Sequence, residues 1–326
     1  VQTCALPILI AGQRGDAIRD LQRRLATAGF PPGPGDEVGV FGAGTEAGVR
    51  AFQTARGLVA DGRCDEHTWS ALVEASWSLG DRVLVLTSPN MRGDDVGELQ
   101  TMLARLGFDC GRVDGILGPR TARAVTDFQT NCGLLADSVC GPETVRALHR
   151  VSSQTGSGPG VGAVRELERL RSGPGSLEDC RLVVGQFGGL SSLTRTIARE
   201  LRHHGATVMT LDEPDPVAQA VATNHFGADA YVGFESVADD VAVSQFYRVP
   251  TFESVAGRSM AEALAECLHG VDGLTPTTSG MRLPVLRETR MPAVLVRIGP
   301  VRLVLDSVPT LAERVVRALE IGRAHV

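Results

Sequence analysis

The chain has 326 residues, of which 43% are hydrophobic and 21% charged, enough apolar material for two or three separate cores. Its net charge of −6 and its 4% of aromatic residues exclude the basic surface and stacking platforms of a nucleic-acid binder. No apolar run approaches the roughly 18 to 20 residues needed to cross a bilayer, so no membrane span is expected.

The two ends stand apart. Residues 1–8, Val1-Gln2-Thr3-Cys4-Ala5-Leu6-Pro7-Ile8, and residues 321–326, Ile321-Gly322-Arg323-Ala324-His325-Val326, back-translate into DNA segments that are largely reverse complements of each other. Both match a common sequencing-library adapter, so they are expected to be assembly scars and are set aside with Cys4 and His325. Six cysteines remain, at Cys64, Cys110, Cys132, Cys140, Cys180 and Cys267. None forms a Cys-x-x-Cys pair, so no structural zinc site is expected. Buried thiols are the plain reading; a Cys110–Cys132 or Cys132–Cys140 disulfide is the alternative for an exported chain.

The first half is duplicated. Gly15-Asp16-Ala17-Ile18-Arg19-Asp20-Leu21-Gln22 through Leu25 to Gly29-Phe30 recurs 78 residues later as Gly93-Asp94-Asp95-Val96-Gly97-Glu98-Leu99-Gln100 through Leu103 to Gly107-Phe108. Gly42-Ala43-Gly44-Thr45 through Val49 to Phe52-Gln53 recurs 76 residues later as Gly118-Pro119-Arg120-Thr121 through Val125 to Phe128-Gln129. Each copy predicts three short helices. Ile18, Leu21 and Leu25, with Val96, Leu99 and Leu103, share one helical face, and Gly29 or Gly107 follows as a C′ glycine would. Thr45 and Thr121 are predicted N-caps of a second helix that Gly57 or Gly133 closes. A third helix is predicted from Asp65 to Leu72 and from Gly141 to Leu148.

This series resembles the three-helix peptidoglycan-binding domain, whose signature is Leu-Gln-x-x-Leu-x-x-x-Gly-Phe, Asp-Gly-x-Phe-Gly-x-x-Thr and Ala-Val-x-x-Phe-Gln. The repeats are bounded at 9–76 and 88–151. The second keeps Asp114-Gly115-Ile116-Leu117-Gly118, whereas the first has Val38-Gly39-Val40-Phe41-Gly42 and lacks the turn aspartate. The motif Leu, Phe and Gly residues are accounted for by core and turn formation. The exposed polar residues Asp114, Arg120 and Arg123 are the candidates to touch glycan or peptide.

Residues 152–177 have a linker's Ser, Gly and Pro content around a short charged helix, Val164 to Arg171. From 178 to 320 short apolar runs alternate with amphipathic segments, which predicts an α/β domain with a mostly parallel sheet. Strands are expected at Leu182–Val184, Ala206–Leu211, Ala230–Phe234 and Ala293–Ile298, with Val243–Tyr247 as an outer strand. Helices are expected at Leu193–His204, Val217–Phe226, Ser254–Leu268 and Thr310–Glu320. In the last strand Ala293 to Val296 are apolar, between Pro292 and Gly299, as in a strand covered on both faces. Arg297 breaks that run. A guanidinium there costs several kcal/mol if left unpaired, so it is expected to emerge at the carboxyl edge of the sheet or to meet an acid.

The order of these elements, with Val184-Gly185-Gln186-Phe187-Gly188-Gly189, Asn224-His225-Phe226-Gly227-Ala228-Asp229 and Leu286-Arg287 through Ile298-Gly299, resembles the zinc-dependent N-acetylmuramoyl-L-alanine amidases. With two peptidoglycan-binding repeats in front, it is most similar to the actinobacterial CwlM-type amidase-like group. The resemblance implies a zinc held by His, Glu and His, with a Glu as general base. The first ligand position holds Phe187. The second falls near Leu190 to Leu193, where no acid occurs. The third aligns with Glu235, and the general base with Arg297.

Other possible ligands are His203, His204, His225 and Asp229, and their plain reading is surface structure. Zinc, the cofactor of the family, is therefore expected to be absent, with no catalytic residue retained. Glu235 and Arg297 become ligand-binding candidates, and an ion pair between them would fill the old metal cleft. The alternative is that Arg297 points to solvent. The resemblance implies a peptidoglycan-binding protein that has lost its zinc site and regulates peptidoglycan synthesis or remodelling. Its partners would be peptidoglycan or its precursors and cell-wall synthesis proteins. It would act in the cytoplasm, or in the wall if exported; an active amidase is the runner-up.

Overall fold

A computed structural model describes residues 8–33, 35–152, 177–250, 252–271 and 273–324. Residues 153–176, which hold nearly all of the expected linker and its helix, lie outside the described residues, as do 1–7 and 325–326. The chain divides into two compact units, Val1–Val164 with Pro250–Phe252, and Arg165–Val249 with Glu253–Val326.

The first unit holds both repeats. Helices α1 (Asp16–Thr27), α2 (Ala43–Arg56) and α3 (Glu66–Glu74) form the first, and α4 (Asp94–Arg105), α5 (Pro119–Asn131) and α6 (Pro142–Ser152) the second. Ile18, Leu21, Leu25, Val49, Phe52 and Leu72 make one core, and Val96, Leu99, Leu103, Val125, Phe128 and Leu148 the other. Equivalent aromatic pairs meet edge to face, Phe30 on Phe52 and Phe108 on Phe128, each with ring centroids 5.6 Å apart. The second repeat also takes in Leu79 and Leu84, ahead of the expected boundary at 88, because Leu84 pairs with Cys140 as Leu9 does with Cys64. Arg56 joins the copies by an ion pair to Asp94 at 2.7 Å. Arg82, beside Trp77, holds the buried Asp95 at 2.7 Å.

The two threonines predicted as N-caps have a different task. Gly42 and Gly118 occupy the cap positions, while Thr45 and Thr121 lie inside the helices and are buried. Each hydroxyl instead accepts a hydrogen bond from a buried glutamine, and this arrangement occurs four times. Gln100 donates to Asp114 Oδ1, Ile116 O and Thr121 Oγ1 and accepts from Gly115 N. Gln129 does the same with Asp137, Val139, Thr144 and Ser138. Gln53 repeats it with Asp61, Arg63, Thr68 and Gly62. Gln22 reaches Glu37 O, Val40 O, Thr45 Oγ1 and Gly39 N. An apolar residue at these sites would leave buried backbone groups unpaired, which is why a polar amide stands in the core.

Around Gln22 the acid of the turn is moved rather than lost. Asp36 accepts from the hydroxyl and backbone N–H of Thr45 and from Gly44 N at the start of α2. The hydrogen bond from the Thr45 hydroxyl, above all, holds its carboxyl below the ordinary carboxylate range. A depressed folded value means that the stabilisation is complete above the unfolded value of about 3.9 and is lost as pH falls through the lower folded value. Asp36→Asn is thus expected to lower first-repeat stability at neutral pH and to flatten its acid loss in urea titrations run from pH 6 to 2. An unchanged acid slope would remove Asp36 from the cause.

The six cysteines among the described residues are free thiols, so neither alternative disulfide forms; Cys132 is exposed. Burial pushes the Cys64, Cys110 and Cys140 thiols up to about 12.

The second unit is a sheet of β1 (Arg181–Phe187), β2 (Thr207–Leu211), β3 (Ala230–Ser236), β4 (Ala242–Val249), β5 (Phe252–Glu253), β6 (Pro276–Met281) and β7 (Ala293–Ile298). The order is β2-β1-β3-β7-β4, with β5 and β6 both on β4. The pairings of β1 with β2, β1 with β3, β3 with β7 and β4 with β6 are parallel, and that of β4 with β7 is antiparallel. Strand β4 is therefore interior rather than outer. The strand beyond it, β6, reads Pro276-Thr277-Thr278-Ser279-Gly280-Met281, too polar for its apolar pattern to announce it.

One face is covered by α7 (Ser191–His203), α9 (Val255–Leu268) and α12 (Val308–Ala324), whose Ile197, Leu264 and Val315 join Val184, Val232 and Val296 in the main core. On the other face lie α8 (Pro216–Phe226) and the short α10 (Pro284–Glu288), tied by Asn224 Nδ2 donating to Glu288 O at 2.8 Å. A further short helix, α11 (Val301–Asp306), leads into α12. No helix of the described residues is long and apolar enough to cross a membrane.

Candidate functional site

In a parallel α/β sheet the carboxyl ends of the strands form the ligand-binding edge. The register places three of the expected site residues in one row there: Phe187 on β1 is opposite Glu235 on β3, and Glu235 is opposite Arg297 on β7. Val243 on β4 continues the row. Arg297 Nε lies 2.9 Å from Glu235 Oε2, with the two side chains 39% and 37% exposed. The acid that the sequence called for beside Arg297 is therefore its cross-strand neighbour, and the guanidinium does not simply trail into solvent. A single pair this exposed contributes about 0 to 1 kcal/mol to stability.

Beside this row lies a polar staple that the sequence did not announce. Gln186 donates to Asp212 and accepts from Leu190 N at 2.8 Å, while Ser191 Oγ donates to Asp212 Oδ2 at 3.0 Å. These bonds fasten the Gly188-Gly189 turn to the end of β2. Ser236 Oγ closes the turn from the other side by donating to Gly188 O at 2.6 Å. Leu190 and Leu193, near the position of the second family ligand, are fully buried hydrocarbon.

These residues do not fit a zinc ion. Catalytic zinc takes three protein donors and a water; the row offers a phenyl ring, one carboxylate already paired, and a guanidinium, which has no lone pair to give a metal. The alternative ligands are not gathered either. Asp229 precedes β3 and accepts from Arg181 N, at the strand end opposite Glu235. His203 and His225 are exposed, and His204 Nδ1 faces Glu320 Oε1 at 3.0 Å. Among the described residues no group of three or more His, Cys, Asp or Glu is placed to hold a metal ion.

In the second repeat Asp114 is turned inward, accepting from Gln100 Nε2 and Ile116 N, so its carboxylate builds the turn rather than waiting for ligand. Arg120 and Arg123 stand exposed on the first turns of α5, three residues apart and hence on one face. Their counterparts in the first repeat are Gly44 and Ala47. Only the second copy offers that pair of cations.

Helical repeats of this kind ahead of this sheet define a peptidoglycan-binding, amidase-like protein. The family model "Putative peptidoglycan binding domain" matches residues 14–72 and 92–148. The chain is 32% identical to N-acetylmuramoyl-L-alanine amidase CwlM of Mycobacterium tuberculosis over 89% of this chain and 81% of that protein. It is 33% identical to N-acetylmuramoyl-L-alanine amidase CwlL of Bacillus licheniformis over 42% of this chain and 44% of that one. The N-acetylmuramoyl-L-alanine amidase from Clostridium difficile 630 superposes on 44% of this chain and 96% of its own, at 14% identity and a TM-score of 0.34. The chain belongs to the N-acetylmuramoyl-L-alanine amidase family and resembles its CwlM type along most of its length.

Proposed function

We propose that this protein binds peptidoglycan or its precursors without hydrolysing them, and that its amidase-like unit regulates peptidoglycan synthesis or remodelling through cell-wall synthesis proteins, in the cytoplasm. The observation that carries the reading is the row Phe187, Glu235, Arg297. Hydrolysis of an amide by this family's chemistry asks for a metal-bound water and a carboxylate base. Here the cleft holds a hydrocarbon at one end and a positive charge at the other. Arg120 and Arg123 are the exposed groups best suited to anionic parts of the ligand, through the planar guanidinium fork that pairs with carboxylates.

The second reading, an active amidase cleaving the bond between N-acetylmuramic acid and L-alanine, is supported by the names its relatives bear. Zymography of the purified chain on peptidoglycan, with elemental analysis of the same sample, separates the two. The expected result is an uncleared gel and zinc far below one equivalent. Cleared bands that vanish on chelation, together with stoichiometric zinc, would overturn the proposal.

A further inference from the structure

The Arg297–Glu235 pair leaves most of its hydrogen-bonding capacity open. The close approach is through Arg297 Nε. Among the described residues, neither terminal nitrogen of the guanidinium donates a hydrogen bond, and Glu235 Oε1 accepts none. Both side chains are more than a third exposed, so these groups face the open edge of the sheet. The free end of a guanidinium, with its two parallel N–H vectors, is the geometry that grips a carboxylate bidentately.

A second observation lies one step down the same face. Gln245 on β4 sits opposite Leu295, two residues from the Val243–Arg297 pair, which makes it a diagonal neighbour of Arg297. It is 4% exposed, and its Oε1 is buried with no hydrogen-bond partner. A buried amide oxygen without a donor has lost its water and gained nothing in return, and a ligand N–H met by a turn of that amide would relieve it. Phe187 and Val243 flank the charged pair with apolar surface.

We propose that this row is a binding site for a carboxylate that stands next to an N–H donor, the chemistry of a free amino acid or of the C-terminal residue of a short peptide. The carboxylate lies on the terminal nitrogens of Arg297. The neighbouring ammonium or amide N–H is accepted by Glu235 Oε1, with the Gln245 amide as second acceptor. No covalent step is involved. The proposal rests on the reading given under Proposed function only in that no metal occupies this cleft.

The test is isothermal titration of the full chain with alanine, N-acetylalanine, alanyl-alanine and alanyl-alaninamide. At least one carboxylate probe is expected to bind, and alanyl-alanine at least about tenfold more tightly than its amide, which lacks the charge for Arg297. Tighter binding of alanine than of alanyl-alanine identifies a free amino acid as the source, and the reverse order a peptide end. Arg297→Lys keeps the charge but not the fork, and is expected to weaken the carboxylate probes at least about tenfold. Glu235→Gln is expected to weaken alanine more than N-acetylalanine, and thermal melts of both variants report whether they fold. Absence of binding to the wild-type chain, equal affinity for acid and amide, or full affinity in a folded Arg297→Lys variant would each overturn the site. An uncleared zymogram beside any of these results removes this site alone, whereas cleared, zinc-dependent bands remove the reading beneath it.

Discussion

Replacing Gln100 with leucine is expected to destabilise the second repeat by about 3 to 5 kcal/mol, comparable to the whole stability of a domain this small. Leucine is close in size, so the cavity is minor. The loss comes from what the amide leaves behind. Gln100 donates to Asp114 Oδ1 at 3.2 Å, Ile116 O at 3.0 Å and Thr121 Oγ1 at 3.1 Å, and accepts from Gly115 N at 2.8 Å. Gly115 and Thr121 are buried, so water does not replace the lost partner without opening the turn. Gln100→Glu keeps the shape and one acceptor but turns the donating nitrogen into an oxygen facing three others, and is expected to be no better. Urea unfolding followed by circular dichroism, with hydrogen exchange to locate the loss in residues 94–152, measures the effect. A change below about 1 kcal/mol would mean that the pin is ornamental and that the Leu and Phe core alone sets the turn.

Gly185→Val is expected to be strongly damaging to the α/β unit, by about 3 kcal/mol or more. Even the first carbon of a side chain there would lie 2.2 Å from Gln219 Oε1 and 2.5 Å from the Tyr231 hydroxyl. Neither neighbour has room to retreat. Both are wholly buried; Tyr231 donates to Gln219 Oε1 at 2.8 Å, while Gln219 Nε2 donates to Gln186 O at 3.0 Å and to Glu213 O at 2.7 Å. Gly185 and its cross-strand partner Gly233 are thus the floor on which the Tyr231 ring rests, directly below the Phe187 and Glu235 row. Displacing that ring also takes the donor from Gln219 Oε1, which orients the amide that holds the Gln186 carbonyl, so the support of the candidate site is lost with the core. Soluble yield and the thermal midpoint of Gly185→Val are the readouts. A midpoint within a degree or two of wild type would contradict the packing described here. Tyr231→Phe is expected to cost less, about 1 to 3 kcal/mol, because only Gln219 Oε1 loses a partner.

The duplication in the first half was legible because it is local: each helix announces itself by apolar residues at helical spacing, and two copies in one chain confirm one another. Likewise, the bounds of β7, Ala293–Ile298, follow from Pro292, Gly299 and an apolar run. Strand β6 and the place of β4 were not legible. A polar segment becomes a strand only because β4 offers it an edge to pair with, and that edge exists only once the sheet has formed. Thr45 and Thr121 were misplaced for a related reason. A threonine near a helix start has a local use as a cap, but here its hydroxyl is claimed by a glutamine 21 to 23 residues away in sequence.

The sequence by itself determined that two helical peptidoglycan-binding repeats precede an amidase-type sheet, since local spacing and motif order are all that such a statement needs; from the resemblance it also raised the expectation that Phe187, Glu235 and Arg297 stand where the family's zinc site would be. It also raised the expectation that Arg297, at the end of a buried strand, would emerge at the carboxyl edge of the sheet or meet an acid. The tertiary structure decided that the expected pair with Glu235 forms, at 2.9 Å, rather than Arg297 pointing to solvent, because strand register is set by packing across elements about sixty residues apart in sequence. It also decided that Asp114 is spent on its own turn, and that the open ends of the Arg297–Glu235 pair share a face with the unpartnered oxygen of Gln245. Hydrogen-bond saturation is a property of three-dimensional neighbours, and no spacing along the chain records it.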